Sequence, residues 1–129
     1  RPDICQMPGS LENAIGNCTI LERTEGRFFD THALIRAHRT GDAFATQVWL
    51  KSVRALACAI ASFANILDPE AVIVGGGIAA AGEALFDPLT EFLDQVEWRP
   101  GGHRIKVFPA TLGEFAGAIG AARNAVGHP

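Results

Sequence analysis

Asn65-Ile-Leu-Asp-Pro-Glu-Ala-Val-Ile-Val-Gly-Gly-Gly-Ile-Ala-Ala-Ala-Gly82 is the stretch that decides the fold class. Asp68-Pro69 closes a helix, because proline disfavours the helical region for the residue before it and donates no backbone hydrogen bond. Ala71-Val72-Ile73-Val74 is a short, unbroken apolar run with β-branched residues, which predicts a strand covered on both faces and parallel to its neighbour. Gly75, Gly76 and Gly77 follow directly, and glycine permits both a sharp turn and a close approach of backbone to a ligand. A helix is expected from Gly82-Glu83 onward. Strand, glycine turn and helix together can hold an anion or a nucleotide. They also describe a plain tight turn after a buried strand. The run does not fit G-x-G-x-x-G and the chain has no G-x-x-x-x-G-K-[ST], so these residues alone leave both readings open.

Upstream, Asp42 predicts the N-cap of a long helix over Ala43 to Leu67, with a stripe through Ala45, Val48, Trp49, Leu56, Ala59, Ile60, Phe63 and Leu67. Before it come loop and short helical pieces. Ser10 caps Leu11 to Gly16, a turn runs from Thr19 to Arg23, Glu25-Gly26 breaks the chain, and Thr31 caps a helix ending at Thr40-Gly41. Downstream, Glu83 to Val96 reads as a helix holding Pro88, Arg104 to Ala110 as a strand ended by Pro109, and Glu114 to Val126 as a small-residue helix suited to very close packing. The class is α/β: helices followed by a βαβα unit. Two parallel strands make too small a sheet to stand alone, so further strands are expected from upstream sequence or another chain.

With 48% hydrophobic and 19% charged residues, the 129-residue chain has the composition of a globular domain, not of a disordered segment. Its net charge of -3 and lack of any Lys/Arg cluster argue against nucleic acid as a partner. The longest apolar run, Ala55 to Ala64, is too short to span a membrane and no signal peptide is visible, so a cytoplasmic protein is expected. The start at Arg1 without a methionine leads us to expect that something upstream is missing. Cys5, Cys18 and Cys58 are read as reduced thiols, the latter two as small buried hydrophobes. His32, His38, His103 and His128 fit no metal-ligand spacing and read as surface or cap residues.

Three segments in order carry a resemblance: Gly9-Ser10-Leu11-Glu12, then Asn65 through Gly77, then Leu112-Gly-Glu-Phe-Ala-Gly-Ala-Ile-Gly-Ala-Ala122. Together they resemble the C-terminal half of a ROK-family sugar kinase, bacterial glucokinase-like, over nearly the whole chain. The resemblance implies the C-terminal lobe of the actin/hexokinase-like (ribonuclease H-like) fold, left incomplete. Residues 1–41 would be loop and short helices after a degenerate zinc segment, and residues 42–129 the long helix plus the βαβα unit. It further implies a parent that binds a hexose and ATP with Mg, whose N-terminal lobe lies elsewhere, and that forms a homo-oligomer.

Carried over by position, Glu12 matches the family's sugar-hydroxyl ligand, and Gly75, Gly76, Gly77, Ile78 and Ala79 match its adenosine-side loop. Ala116, Gly117 and Gly120 resemble the closing helix, where close packing explains them. The family's C-x-C-G-x-x-G-C-L-E segment, which with an upstream His holds a structural zinc, reads Asp3-Ile-Cys-Gln-Met-Pro-Gly-Ser-Leu-Glu12 here. Asp3 and Ser10 replace two thiolates, and one remaining Cys5 does not make a tetrahedral site, so no metal is expected. The family's phosphate-binding D-x-G-x-T turn and its catalytic Asp have no counterpart, and the chain alone is expected to be inactive. Beside the kinase reading stand a sugar-responsive ROK repressor, which adds an upstream helix-turn-helix, and a noncatalytic binding or oligomerisation module.

Overall fold

The computed structural model describes residue 7 and residues 9–127; Asp3, Cys5 and His128 lie outside them. Among the described residues six α-helices and two strands follow one another: α1 Leu11–Ile15, α2 Ile20–Arg23, α3 Thr31–Arg39, α4 Ala43–Leu67, β1 Ala71–Val74, α5 Glu83–Val96, β2 Lys106–Pro109 and α6 Ala116–Val126. Single 3-10 turns link several of them, including Gly77–Ala81 before α5.

Local chemistry sets the ends of the helices. Ser10 Oγ accepts from the Asn13 N–H at 3.3 Å, and Asp42 Oδ1 from the Ala45 N–H at 2.7 Å, so each satisfies an N–H that the first helical turn leaves without a partner. The α3 cap is Asp30, whose Oδ1 accepts from the Ala33 N–H at 2.6 Å, not Thr31 as the sequence predicts. Thr31 is already inside the helix and turns its hydroxyl and N–H to Asn17 Oδ1. Glu25 (φ 54°) and Gly26 (φ 77°) end α2 in left-handed backbone, and Asp68 (φ 45°) does the same for α4 just before Pro69.

The α4 helix is the spine. It packs on α1, α3 and α5, and its buried residues are Ala45, Trp49, Ser52, Val53, Ala57, Ile60 and Ala61. Leu34 from α3 and Leu85, Leu89 and Leu93 from α5 complete the centre of the core with Val74. Full burial of each such leucine contributes roughly 1.5–3 kcal/mol. The expected stripe is right over Ala45, Trp49 and Ile60 and wrong at its carboxyl end, where Phe63 and Leu67 are exposed. Cys18 and Cys58 are exposed as well, not buried.

β1 and β2 pair in parallel with Ala71 opposite Lys106 and Val74 opposite Pro109, and α5 forms the crossover. Glu97, after α5, accepts from the Ile105 N–H at 2.6 Å through one oxygen and from Arg99 through the other, which anchors the entry to β2. Asp94 is paired with Arg99 and Arg104, and hydrogen bonds from Arg99 and then Arg104 hold its carboxyl below the usual range. The strand is not covered on both faces as expected. Val72, Val74 and Val107 face the core, while Ile73 is 70% exposed beside its pair Phe108. The small-residue helix α6 likewise buries none of its described residues. Among the described residues, one face of the strand pair, with Ile73 and Phe108, and the apolar residues Ile119 and Val126 of α6 are left exposed.

Candidate functional site

Glu12 lies in the first turn of α1 and is exposed. Its carboxylate folds back against Gly16: a Cβ added there would stand 2.0 Å from Glu12 Oε1 and 2.7 Å from the Glu12 carbonyl oxygen. Gly16 closes α1 by donating its N–H to that same carbonyl at 2.7 Å. Arg23 then fixes the surroundings. It donates through Nη2 to the Gly16 carbonyl at 2.8 Å, through Nη1 to Ser52 Oγ on α4 at 2.8 Å, and through Nε to Thr19 Oγ1 at 3.0 Å. Burial lowers the guanidinium's pKa from its ordinary value, and the nearby Cys18 and Glu12 oppose that shift. Glu12 is therefore an exposed acceptor on a braced turn, able to take hydrogen bonds from hydroxyl groups.

The glycine loop sits at the carboxyl end of β1, on a different element. Backbone geometry and packing account for the first two of its glycines and not for the third. At Gly75 a Cβ would lie 3.3 Å from the Ala110 Cβ, where the chain leaves β2. Gly76 has φ 74° and ψ −174°, a region that is essentially glycine's alone. Gly77 has neither demand: its φ is not left-handed and nothing stands within 4 Å of a Cβ there, so the fold does not account for it. All three are exposed, while Ile78 and Ala79 are half-buried against the core and hold the following turn down. An exposed loop between a parallel strand and a helix N-terminus is suited to a phosphate-bearing ligand.

Clefts of about 410 Å³ beside Trp98 and about 490 Å³ beside Arg23 contain neither Glu12 nor the loop. Both candidate groups are on open surface. Three of the described aspartates have structural work: Asp30 and Asp42 cap helices, and Asp94 is ion-paired. Ser10, where the resemblance places a zinc thiolate, spends its oxygen on the α1 cap. Among the described residues no three His, Cys, Asp or Glu side chains converge. His38, expected as a surface or cap residue, lies in the last turn of α3, half-buried, with its Nδ1 2.9 Å from Thr46 Oγ1.

Gly16 and Arg23 are tied to the Glu12 turn, and Arg39 and Trp49 donate to the Ala81 and Ala84 carbonyls that follow the glycine loop; sequence reading assigned none of them to a site. The one signal was the glycine four residues after Glu12, which puts it over the same helical face.

Residues 3–126 match the ROK family. The glucokinase of Thermotoga maritima is 42% identical over 93 residues, which cover 72% of this chain and 29% of that enzyme. The crystal structure of a ROK family glucokinase from Streptomyces griseus, in complex with glucose and AMPPNP, superposes with a TM-score of 0.75 at 26% identity, covering 96% of this chain and 46% of that one. A ROK family transcriptional regulator, a homologue of the E. coli MLC protein, aligns with a TM-score of 0.67 at 22% identity over 84% of this chain and 31% of its own, a likeness of fold. The chain thus spans less than half the length of each of these relatives. Its helices and parallel strand pair are part of the C-terminal lobe of the actin/hexokinase-like fold. With the match running over nearly its whole length, the chain belongs to the ROK family.

Proposed function

We propose that this chain is the C-terminal part of an ATP-dependent hexose kinase, glucose being the expected sugar, that converts ATP and hexose to ADP and hexose 6-phosphate. The observation that carries the reading is Gly77: an open glycine at the carboxyl end of a parallel strand that neither backbone conformation nor packing requires. In this reading the Gly75 to Gly77 loop, with Ile78 and Ala79, flanks the adenosine, and Glu12 accepts hydrogen bonds from sugar hydroxyls. In the lobe, residues 1–41 are the loop and short helices that carry Glu12, and residues 42–129 the long helix plus the βαβα unit that carries the glycine loop. Magnesium would accompany the ATP phosphates. The γ-phosphate clamp and the carboxylate that takes the hydroxyl proton belong to a separate lobe, because phosphoryl transfer depends on those groups and this chain has no counterpart of them. The open strand face and the unburied α6 support a second wall of that kind. The parent is read as a cytoplasmic homo-oligomer.

The second reading is the effector half of a sugar-responsive repressor, favoured by the shared fold of the MLC homologue. A transfer assay on the full-length protein separates the two. Gly77→Asp tests the loop: it adds bulk and negative charge where the fold has room, so thermal stability should hold while ATP affinity drops by about tenfold or more. Unchanged ATP affinity by calorimetry would remove the nucleotide assignment. Glu12→Gln, measured in parallel, should raise the glucose KM and leave the ATP KM alone.

A further inference from the structure

Pro88 lies inside α5. Proline has no N–H, so the carbonyl four residues earlier, that of Ala84, loses its ordinary helical donor. Another helix supplies one: Trp49 Nε1–H, from α4, donates to the Ala84 carbonyl at 2.7 Å. The Trp49 ring is fully buried, and a buried indole N–H needs an acceptor, so each group answers the other's deficit. Three residues earlier a second donor acts. Arg39 Nη2, from the last turn of α3, bonds to the Ala81 carbonyl at 2.8 Å. Between these carbonyls lies Gly82, at φ 56° and ψ −132°, where the chain passes from the 3-10 turn after the glycine loop into α5.

We propose that Trp49 and Arg39 are positioning residues for the nucleotide-side loop. They touch no ligand and act by holding the two carbonyls that flank the Gly82 joint. The inference rests on the nucleotide reading of Gly75 to Gly77. Remove either donor and a partly buried carbonyl is left without a partner, so the joint moves to find one and the attached turn moves with it. Misplacement of a binding loop by a fraction of an ångström costs affinity without disturbing a distant sugar site.

In the full-length protein, Trp49→Phe keeps an aromatic ring and removes the donor, and Arg39→Met keeps the stem and removes the guanidinium. Calorimetry with ATP should show Kd raised by about threefold to tenfold in each, with glucose Kd unchanged. Pro88→Ala added to Trp49→Phe restores an N–H to the Ala84 carbonyl and should return the ATP Kd to within about twofold of the parent. If Trp49→Phe alone does not fold, recovery of folding in that double variant supports the pairing, and Arg39→Met carries the affinity test. Equal losses for ATP and glucose, or no rescue by Pro88→Ala, would overturn the proposal. Unchanged ATP affinity in both single variants, with Gly77→Asp still weakening ATP, would overturn it and leave the loop reading intact. If Gly77→Asp is silent too, both fall.

Discussion

Gly16→Ala offers a measurement in which stability and sugar recognition report separately. The backbone at Gly16, φ −75° and ψ 169°, is open to any residue, so the cost is purely steric. The new methyl would lie 2.0 Å from Glu12 Oε1 and 2.5 Å from its Cδ, which a side-chain rotation can relieve. It would also lie 2.7 Å from the Glu12 carbonyl oxygen, about 0.7 Å inside ordinary contact, and rotation does not relieve that. The end of α1 must shift against the Gly16 carbonyl that Arg23 holds. Overpacking of this kind costs roughly 1–3 kcal/mol. In urea denaturation of the full-length protein the midpoint should fall by on the order of 1 M. The Glu12 carboxylate must leave its present position, so the glucose KM should rise by about tenfold while the ATP KM stays put. A lower midpoint with an unchanged glucose KM would refute the sugar role of Glu12 and keep the packing argument. An unchanged midpoint would refute the packing argument itself.

Asp42→Ala removes the acceptor of the Ala45 N–H at the head of α4 and should cost about 1 kcal/mol in the same denaturation assay, against a few tenths for Asp42→Gly. Burial, and then the charge of Arg39, hold the His38 pKa below its ordinary 6.5. The unfolded chain therefore binds that proton more tightly than the folded one. The contribution of neutral His38 is complete above the unfolded pKa and is lost as pH falls through it toward the folded value. Urea midpoints taken between about pH 7.5 and about pH 5.5 should fall in the acid direction, less steeply for His38→Gln; parallel slopes would show that another group titrates.

Reading the sequence succeeded where a rule acts over a few residues. Asp42 and the residues up to Asp68-Pro69 define α4 at both ends because caps and proline stops are local chemistry. Val74, three glycines and Glu83 mark a strand, a turn and a helix for the same reason. It failed where the answer depends on what lies opposite. Thr31 and Asp30 are both good caps, and only Asn17, fourteen residues away, decides between them by taking the threonine hydroxyl. Trp49 reads as one more residue on an apolar stripe, and its indole N–H matters only because the carbonyl that Pro88 left without a donor is packed against it.

Which segments are helix, strand and glycine turn, and in what order, was legible along the chain, because propensity, capping and proline geometry act between near neighbours. Which faces are covered depends on how the elements pack. Ile73 and Val74 are adjacent and equally apolar, yet one is exposed and the other buried, because α4 and α5 lie on a single side of the strand pair. Burial is a property of two surfaces meeting, and a strand's own residues record only one of them.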